Sequence, residues 1–187
     1  MRASDQSVGA GVEGRPATAP YLTFRLAGEV FAVAVLRVRE IIELQTFTRV
    51  PHVPQWIRGV INLRGGVVPV VDLAVKFGLA ESEITKRTCI VIVEVDLGGG
   101  RVVMGVLVDA VSQVVDLPRE CVEPPPPFGT RVRVDFLEGI GKVEGSLVLL
   151  LDIDRVLSAE EVAKVSLSSE TLAQGSPSAD PSVAVEA

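Results

Sequence analysis

The sequence predicts a mainly β protein: two similar small β-barrels packed together, with a helix at the C-terminal end. Three observations lead there. Apolar residues make up 48% of the 187, yet aromatic residues only 4%, so the core must come from Val, Leu and Ile, many of them in short alternating runs. Glycine-bearing turns separate those runs at short intervals, the spacing of barrels and sandwiches. Finally, two blocks of sequence recur in the same order.

Residues 1–19 are rich in Gly, Ala, Ser and Pro and bury too little apolar surface to offset their ordering entropy, so they are expected to be a disordered tail. YLTFRLAGEVFAVAV follows, with Leu22, Phe24 and Leu26 on one face, a bend at Ala27 and Gly28, then Phe31, Val33 and Val35. That pattern is a hairpin. Strand-like runs continue at Arg39 to Leu44, Val60 to Leu63, Val67 to Val71, Thr88 to Val95, Val102 to Val108, Val111 to Leu117, Ile140 to Val143 and Leu147 to Leu151. LRGG, LGGG and VEGS mark turns, where glycine supplies positive φ without a Cβ clash.

GVINLRGGVVPVVDL (Gly59 to Leu73) aligns without a gap on GIGKVEGSLVLLLDI (Gly139 to Ile153). Upstream, AVAVLRVREIIEL (Ala32 to Leu44) lies on GVLVDAVSQVVDL (Gly105 to Leu117), with Val38 on Val111. Repetition of whole supersecondary units implies a folded region over 20–158, with barrels at roughly 20–85 and 86–158. Units of this size are marginal alone and should share a buried interface. Strands crossing between the repeats would move these boundaries. Ser158 and Glu161 have capping-box spacing ahead of Val162, Val165 and Leu167, so a helix is expected over 159–172, followed by a disordered tail over 173–187.

The net charge is −6, and from Ala159 onward five acids face Lys164 alone, leaving the body close to neutral. That balance disfavours a nucleic-acid surface, which needs clustered Lys and Arg to displace counterions. No apolar run approaches a bilayer span, and the N-terminus has no apolar export core, so a cytoplasmic chain with free thiols at Cys89 and Cys121 is expected.

Catalytic groups do not converge. His52 is the single histidine and has no Cys or second His nearby, so no metal role is assigned. A phosphate loop is missing, and no cofactor is expected. Cys89 sits inside TCIVIVEV, where a thiol acts as a small hydrophobe rather than a nucleophile. Asp72 and Asp152 each end a strand before a short helical pattern, the position of a helix cap. Pro124 to Pro127 reads as a stiff connector, in preference to a polyproline docking motif.

VREIIEL followed by VPHVPQWIRGVINLRGGVVPVVDLAVKFG resembles the CheW family of bacterial chemotaxis coupling proteins, with similarity from about Tyr21 to Leu157. The resemblance implies two packed five-stranded SH3-like barrels and a non-enzymatic adaptor. Its partners would be the regulatory domain of the histidine kinase CheA and the signalling tips of methyl-accepting chemoreceptors, in membrane-associated arrays. No nucleic acid and no insertion into the membrane are implied. By position within the motifs, receptor contact is expected at Val38, Glu40, Gly59, Arg64, Gly105, Val111 and Val114, and kinase contact at Leu22 and Val35.

For Arg64 there is also an internal comparison, since the repeat places Glu144 at the same turn position. The turn therefore tolerates either sign, which leaves the positive charge free for a partner. The competing readings are a peptide-binding SH3-like module of another, non-motility chemosensory or signalling system, disfavoured by the shortage of aromatic residues, and a small enzyme, disfavoured by the missing catalytic constellation.

Overall fold

The computed structural model describes residues 17–127 and 129–157. The expected helix over 159–172 and the tail over 173–187 lie outside the described residues, as do residues 1–16 of the N-terminal tail. The strands are β1 (Thr18–Leu26), β2 (Glu29–Ala34), β3 (Val38–Glu43), β4 (Ile57–Leu63), β5 (Gly66–Asp72), β6 (Cys89–Asp96), β7 (Arg101–Val108), β8 (Ala110–Pro118), β9 (Val122–Glu123), β10 (Leu137–Val143) and β11 (Ser146–Leu151). Two one-turn helices, α1 (Leu73–Lys76) and α2 (Ile153–Val156), follow β5 and β11. Thr18 and Ala19, assigned to the tail by composition, instead open β1, because they pair with Pro118 and Leu117 of β8.

The strands form two sheets, in the orders β3, β6, β7, β5, β4 and β8, β1, β2, β11, β10, β9. Neither is a continuous half of the chain. The repeat units are β1 to β5 and β6 to β11, and each gives its first hairpin to one sheet and its remaining strands to the other. The division expected at 85/86 therefore differs from the one the strands make. The chain changes sheet at two equivalent places: the 3-10 turn Val35–Arg37 between β2 and β3, and Asp109 between β7 and β8.

The exchange preserves register. Leu150 of β11 pairs in parallel with Ala32 of β2, and their repeat equivalents, Val70 of β5 and Gly105 of β7, pair in the same way. Each sheet is closed by a returning segment. Thr48 exchanges two backbone hydrogen bonds of 2.9 Å with Val60 on β4, and β9 takes the equivalent place beside Ile140 on β10.

Alternation along the strands explains the core. Ile61, Val68, Val70, Ile90, Ile92 and Leu107 fill one barrel, and Tyr21, Ala32, Leu117, Val148 and Leu150 fill the other. The opposite faces of the same strands, including Leu22, Phe24, Phe31, Val91, Val93 and Val106, join one larger cluster between the barrels. Burial on both faces, at about 1.5–3 kcal/mol for each fully buried large apolar side chain, is what joins two marginal barrels into one body. An aromatic row runs through that cluster, with ring centroids 6.1 Å apart for Phe24 and Phe31, 5.9 Å for Phe31 and Phe77, and 5.8 Å for Phe77 and Phe136.

Candidate protein-interaction site

Local structure places the candidate residues in three settings. The first is the β4–β5 turn, where Arg64 (φ 51°) and Gly65 (φ 84°) both have positive φ, the geometry that matches the twist of a hairpin. Glu144 (φ 49°) and Gly145 (φ 82°) repeat it between β10 and β11. The first central position favours Asn, Asp or Gly, so neither Arg64 nor Glu144 is there for turn propensity.

Arg64 extends from this turn to β3 and donates from both terminal nitrogens to Glu40, at 2.6 and 2.8 Å. The Arg64 side chain is 77% exposed and that of Glu40 24%. The two candidates are thus one neutral, forked pair on the outer wall of the β3–β7 barrel. In the other barrel their equivalents are Gln113 and Glu144, so the acid and the base are lost together. Sequence comparison at position 64 alone left the arginine without an internal partner; the structure supplies one.

The second setting is the seam between barrels. Val38 and Val111, equivalent in the repeat, are both half-buried against the shared core, as is Val35. Val114 on β8 is an exposed apolar side chain, and so is its equivalent Ile41 on β3. Ile41 was missed as a candidate. Its signal lies in the alternation of VREIIE: it shares parity with the exposed Arg39 and Glu43, so an apolar side chain stands on the polar face. Leu36, 91% exposed at the crossover next to Val35, was also missed, because strand periodicity does not extend through the 3-10 turn.

The third setting is the interior. Leu22 is only 4% exposed and packs in the shared core, so the apolar patch expected to contact the kinase is, at this residue, covered by the second barrel. Gly105 is buried, and a Cβ there would stand 2.8 Å from Ile90 Cγ2 and 3.1 Å from Val70 Cγ2. At Gly59, with φ of +144°, a Cβ would lie 2.4 Å from the Thr48 carbonyl oxygen, and at Gly139 it would lie 2.8 Å from that of Glu123. Both glycines admit the segment that closes each barrel. Leu22, Gly59 and Gly105 therefore present no side chain to a partner.

Charged groups elsewhere are engaged in holding the fold. Asp72 is fully buried and caps α1, its Oδ1 accepting from the Val75 N–H at 3.2 Å. Among the described residues its Oδ2 has no hydrogen-bond partner, and the Arg58 guanidinium lies 3.7 Å away, itself paired with Glu81. Burial pushes the Asp72 carboxyl above its ordinary range. Asp152 makes no side-chain cap and pairs with Arg155 at 3.0 Å instead. Arg101 and Arg39 flank Glu94 and hold its carboxyl below the usual range. Burial raises the Cys89 thiol, which opposes a thiolate nucleophile. Among the described residues, no group of three or more His, Cys, Asp or Glu is arranged to hold a metal ion. No described helix is long and apolar enough to cross a membrane.

Two pseudo-equivalent barrels with apolar and paired charged side chains on their outer walls define an SH3-like protein-interaction fold. Comparison with known proteins makes the class specific. The CheW-like domain model matches residues 20–161. Over 145 residues the chain is 36% identical to the chemotaxis protein CheW of Klebsiella aerogenes, covering 78% of this chain and 85% of that protein. Over 140 residues it is 36% identical to the chemotaxis protein CheW of Rhizobium meliloti, covering 75% and 88%. The crystal structure of the scaffolding protein TtCheW from Thermoanaerobacter tengcongensis superposes with a TM-score of 0.69 at 30% identity, covering 82% of this chain and 96% of that one. The chain belongs to the CheW-like domain family, and the relatives it resembles here are two chemotaxis proteins and a scaffolding protein.

Proposed function

We propose that this protein is a non-enzymatic adaptor that couples the cytoplasmic tips of chemoreceptors to the histidine kinase CheA within a cytoplasmic, receptor-associated array. The observation that carries the reading is that two of the candidates, far apart in sequence, meet in one exposed pair on the outer wall of a barrel. Arg64 and Glu40 form a preorganised polar pair on one barrel wall, with Ile41 exposed on the same strand as Glu40. Val114 is exposed on β8 of the other barrel, and Val38 and Val111 are half-buried against the shared core. An exposed surface of this composition suits a reversible interface, in which a few apolar anchors are rimmed by charge.

The receptor face then consists of Val38, Glu40, Arg64, Val111 and Val114. Gly59 and Gly105 support it from within by letting backbone and side chains approach closely. On the kinase side, Val35 with the exposed Leu36 forms the contact, and Leu22 acts through the packing beneath. The test is a pair of titrations of the purified protein, one with a CheA regulatory domain and one with a receptor signalling tip. Saturable binding in both is expected. Failure with both cognate partners would contradict the reading.

A further inference from the structure

We propose that residues 17–80 and 84–157 are mutually completing halves, neither of which is a folding unit, and that they hold together without the peptide connection between them. The pairing of strands carries this inference. Within the first half, the pairings are the hairpins β1–β2 and β4–β5 and the Thr48–Val60 bridge. Within the second, among the described residues, the ladders are the hairpins β6–β7 and β10–β11 and the short β9–β10 pair. Every other ladder crosses between halves: β1 with β8, β2 with β11, β3 with β6, and β5 with β7.

A free hairpin is marginal in water, since it closes no core. Each half alone would be two such hairpins with their apolar faces uncovered. The three hydrophobic clusters make the same point: Ile61, Val68 and Val70 from the first half meet Ile90, Ile92 and Leu107 from the second, and Tyr21 and Ala32 meet Leu117, Val148 and Leu150. Together the halves complete both sheets and the three clusters. The connection that joins them contributes no residue to the hydrophobic clusters: Ala80, Glu81, Glu83 and Ile84 are exposed, and between them the small polar Ser82 is buried. The partner that each half fits is therefore the other half of the same chain. This holds whichever signalling proteins the assembled chain binds.

The test inserts a protease recognition sequence between Glu83 and Ile84 of the full chain and cuts it after folding, with the uncut insertion as control. The nicked protein is expected to migrate as one particle of unchanged mass and to keep its β circular dichroism. Its melting temperature should fall on tenfold dilution, as for any bimolecular assembly, while that of the uncut control should not move. Separated in urea and refolded singly, each half should show no cooperative transition, and an equimolar mixture should regain the nicked protein's melt. Two folded fragments that part on nicking, or single halves that melt cooperatively, would overturn the proposal. So would loss of structure on cutting.

Discussion

Arg64 and Glu40 face each other across the β3–β7 barrel wall in a two-point ion pair, with N to O distances of 2.6 and 2.8 Å, while their repeat equivalents are Glu144 and Gln113. The pair thus belongs to one barrel alone, and the other keeps neither member of it. An exposed pair of this kind contributes only up to about 1 kcal/mol to stability. The pair is therefore a minor determinant of the fold.

Arg64→Glu should abolish the pair, place two acids in contact and weaken receptor-tip binding at least tenfold, while thermal unfolding shifts by no more than about 1 kcal/mol. The double exchange Glu40→Arg with Arg64→Glu separates the two roles. It should restore stability by rebuilding the pair in reverse, but leave receptor binding weak, as isothermal titration would show. Full recovery of binding by the exchange would mean that the partner reads only an intact pair, not the sign of charge at the turn.

Gly59 should be less tolerant of a side chain than its equivalent Gly139. At Gly59 an alanine Cβ would meet the Thr48 carbonyl at 2.4 Å in a conformation that L residues rarely adopt, whereas at Gly139 φ is not positive and the Glu123 carbonyl is met at 2.8 Å. Gly59→Ala should cost about 1–3 kcal/mol in backbone strain alone, and Gly139→Ala less, as read by urea denaturation. A Gly59→Ala protein of unchanged stability that fails only in receptor binding would return Gly59 to the interface.

Tyr21 is the single tyrosine, and its hydroxyl donates to Glu138 Oε1 at 3.2 Å. Burial, then the Glu138 charge, pushes its pKa up to about 12. The folded state thus holds this proton more tightly than the unfolded chain, so its contribution to stability is complete below the ordinary tyrosine pKa of about 10 and is lost as pH rises toward 12. Tyrosinate absorbance should stay low through pH 10.5 in the native protein and appear at once on unfolding in urea at the same pH. Native ionisation near pH 10 would place Tyr21 in solvent.

Asp72 and Asp152 occupy equivalent places with unequal work. Asp72→Ala removes a cap and should cost roughly 1–2 kcal/mol, whereas Asp152→Ala should stay within about 0.5 kcal/mol because no side-chain cap is lost. Burial raises the folded Asp72 pKa, so this group's contribution to stability increases as pH falls through that value. Asp72→Asn, which keeps an acceptor for Val75 and removes the buried charge, should flatten that part of the pH profile in thermal melts.

Much of the fold was legible because hairpin signals and the internal repeat are local. Alternation located β1, β2 and the two tip hairpins, and the gapless match of Gly59 with Gly139 located equivalent turns. The exchange of strands was not legible, since a strand alternates in the same way whichever barrel its inner face lines. The same limit explains Leu22: a strand apolar on both faces looks like a free patch until a second barrel is seen to cover it. Arg64 was found as unusual for its turn, but Glu40, distant in sequence, became its partner only through the position of β3.

The most direct test of the adaptor account is sedimentation velocity of the protein mixed with a CheA regulatory domain and a soluble receptor signalling tip, each alone and both together. The account predicts a ternary species sedimenting faster than either binary complex, lost for the receptor arm alone in Arg64→Glu. Mutually exclusive binding, with one partner displacing the other and no ternary boundary at any ratio, would contradict it.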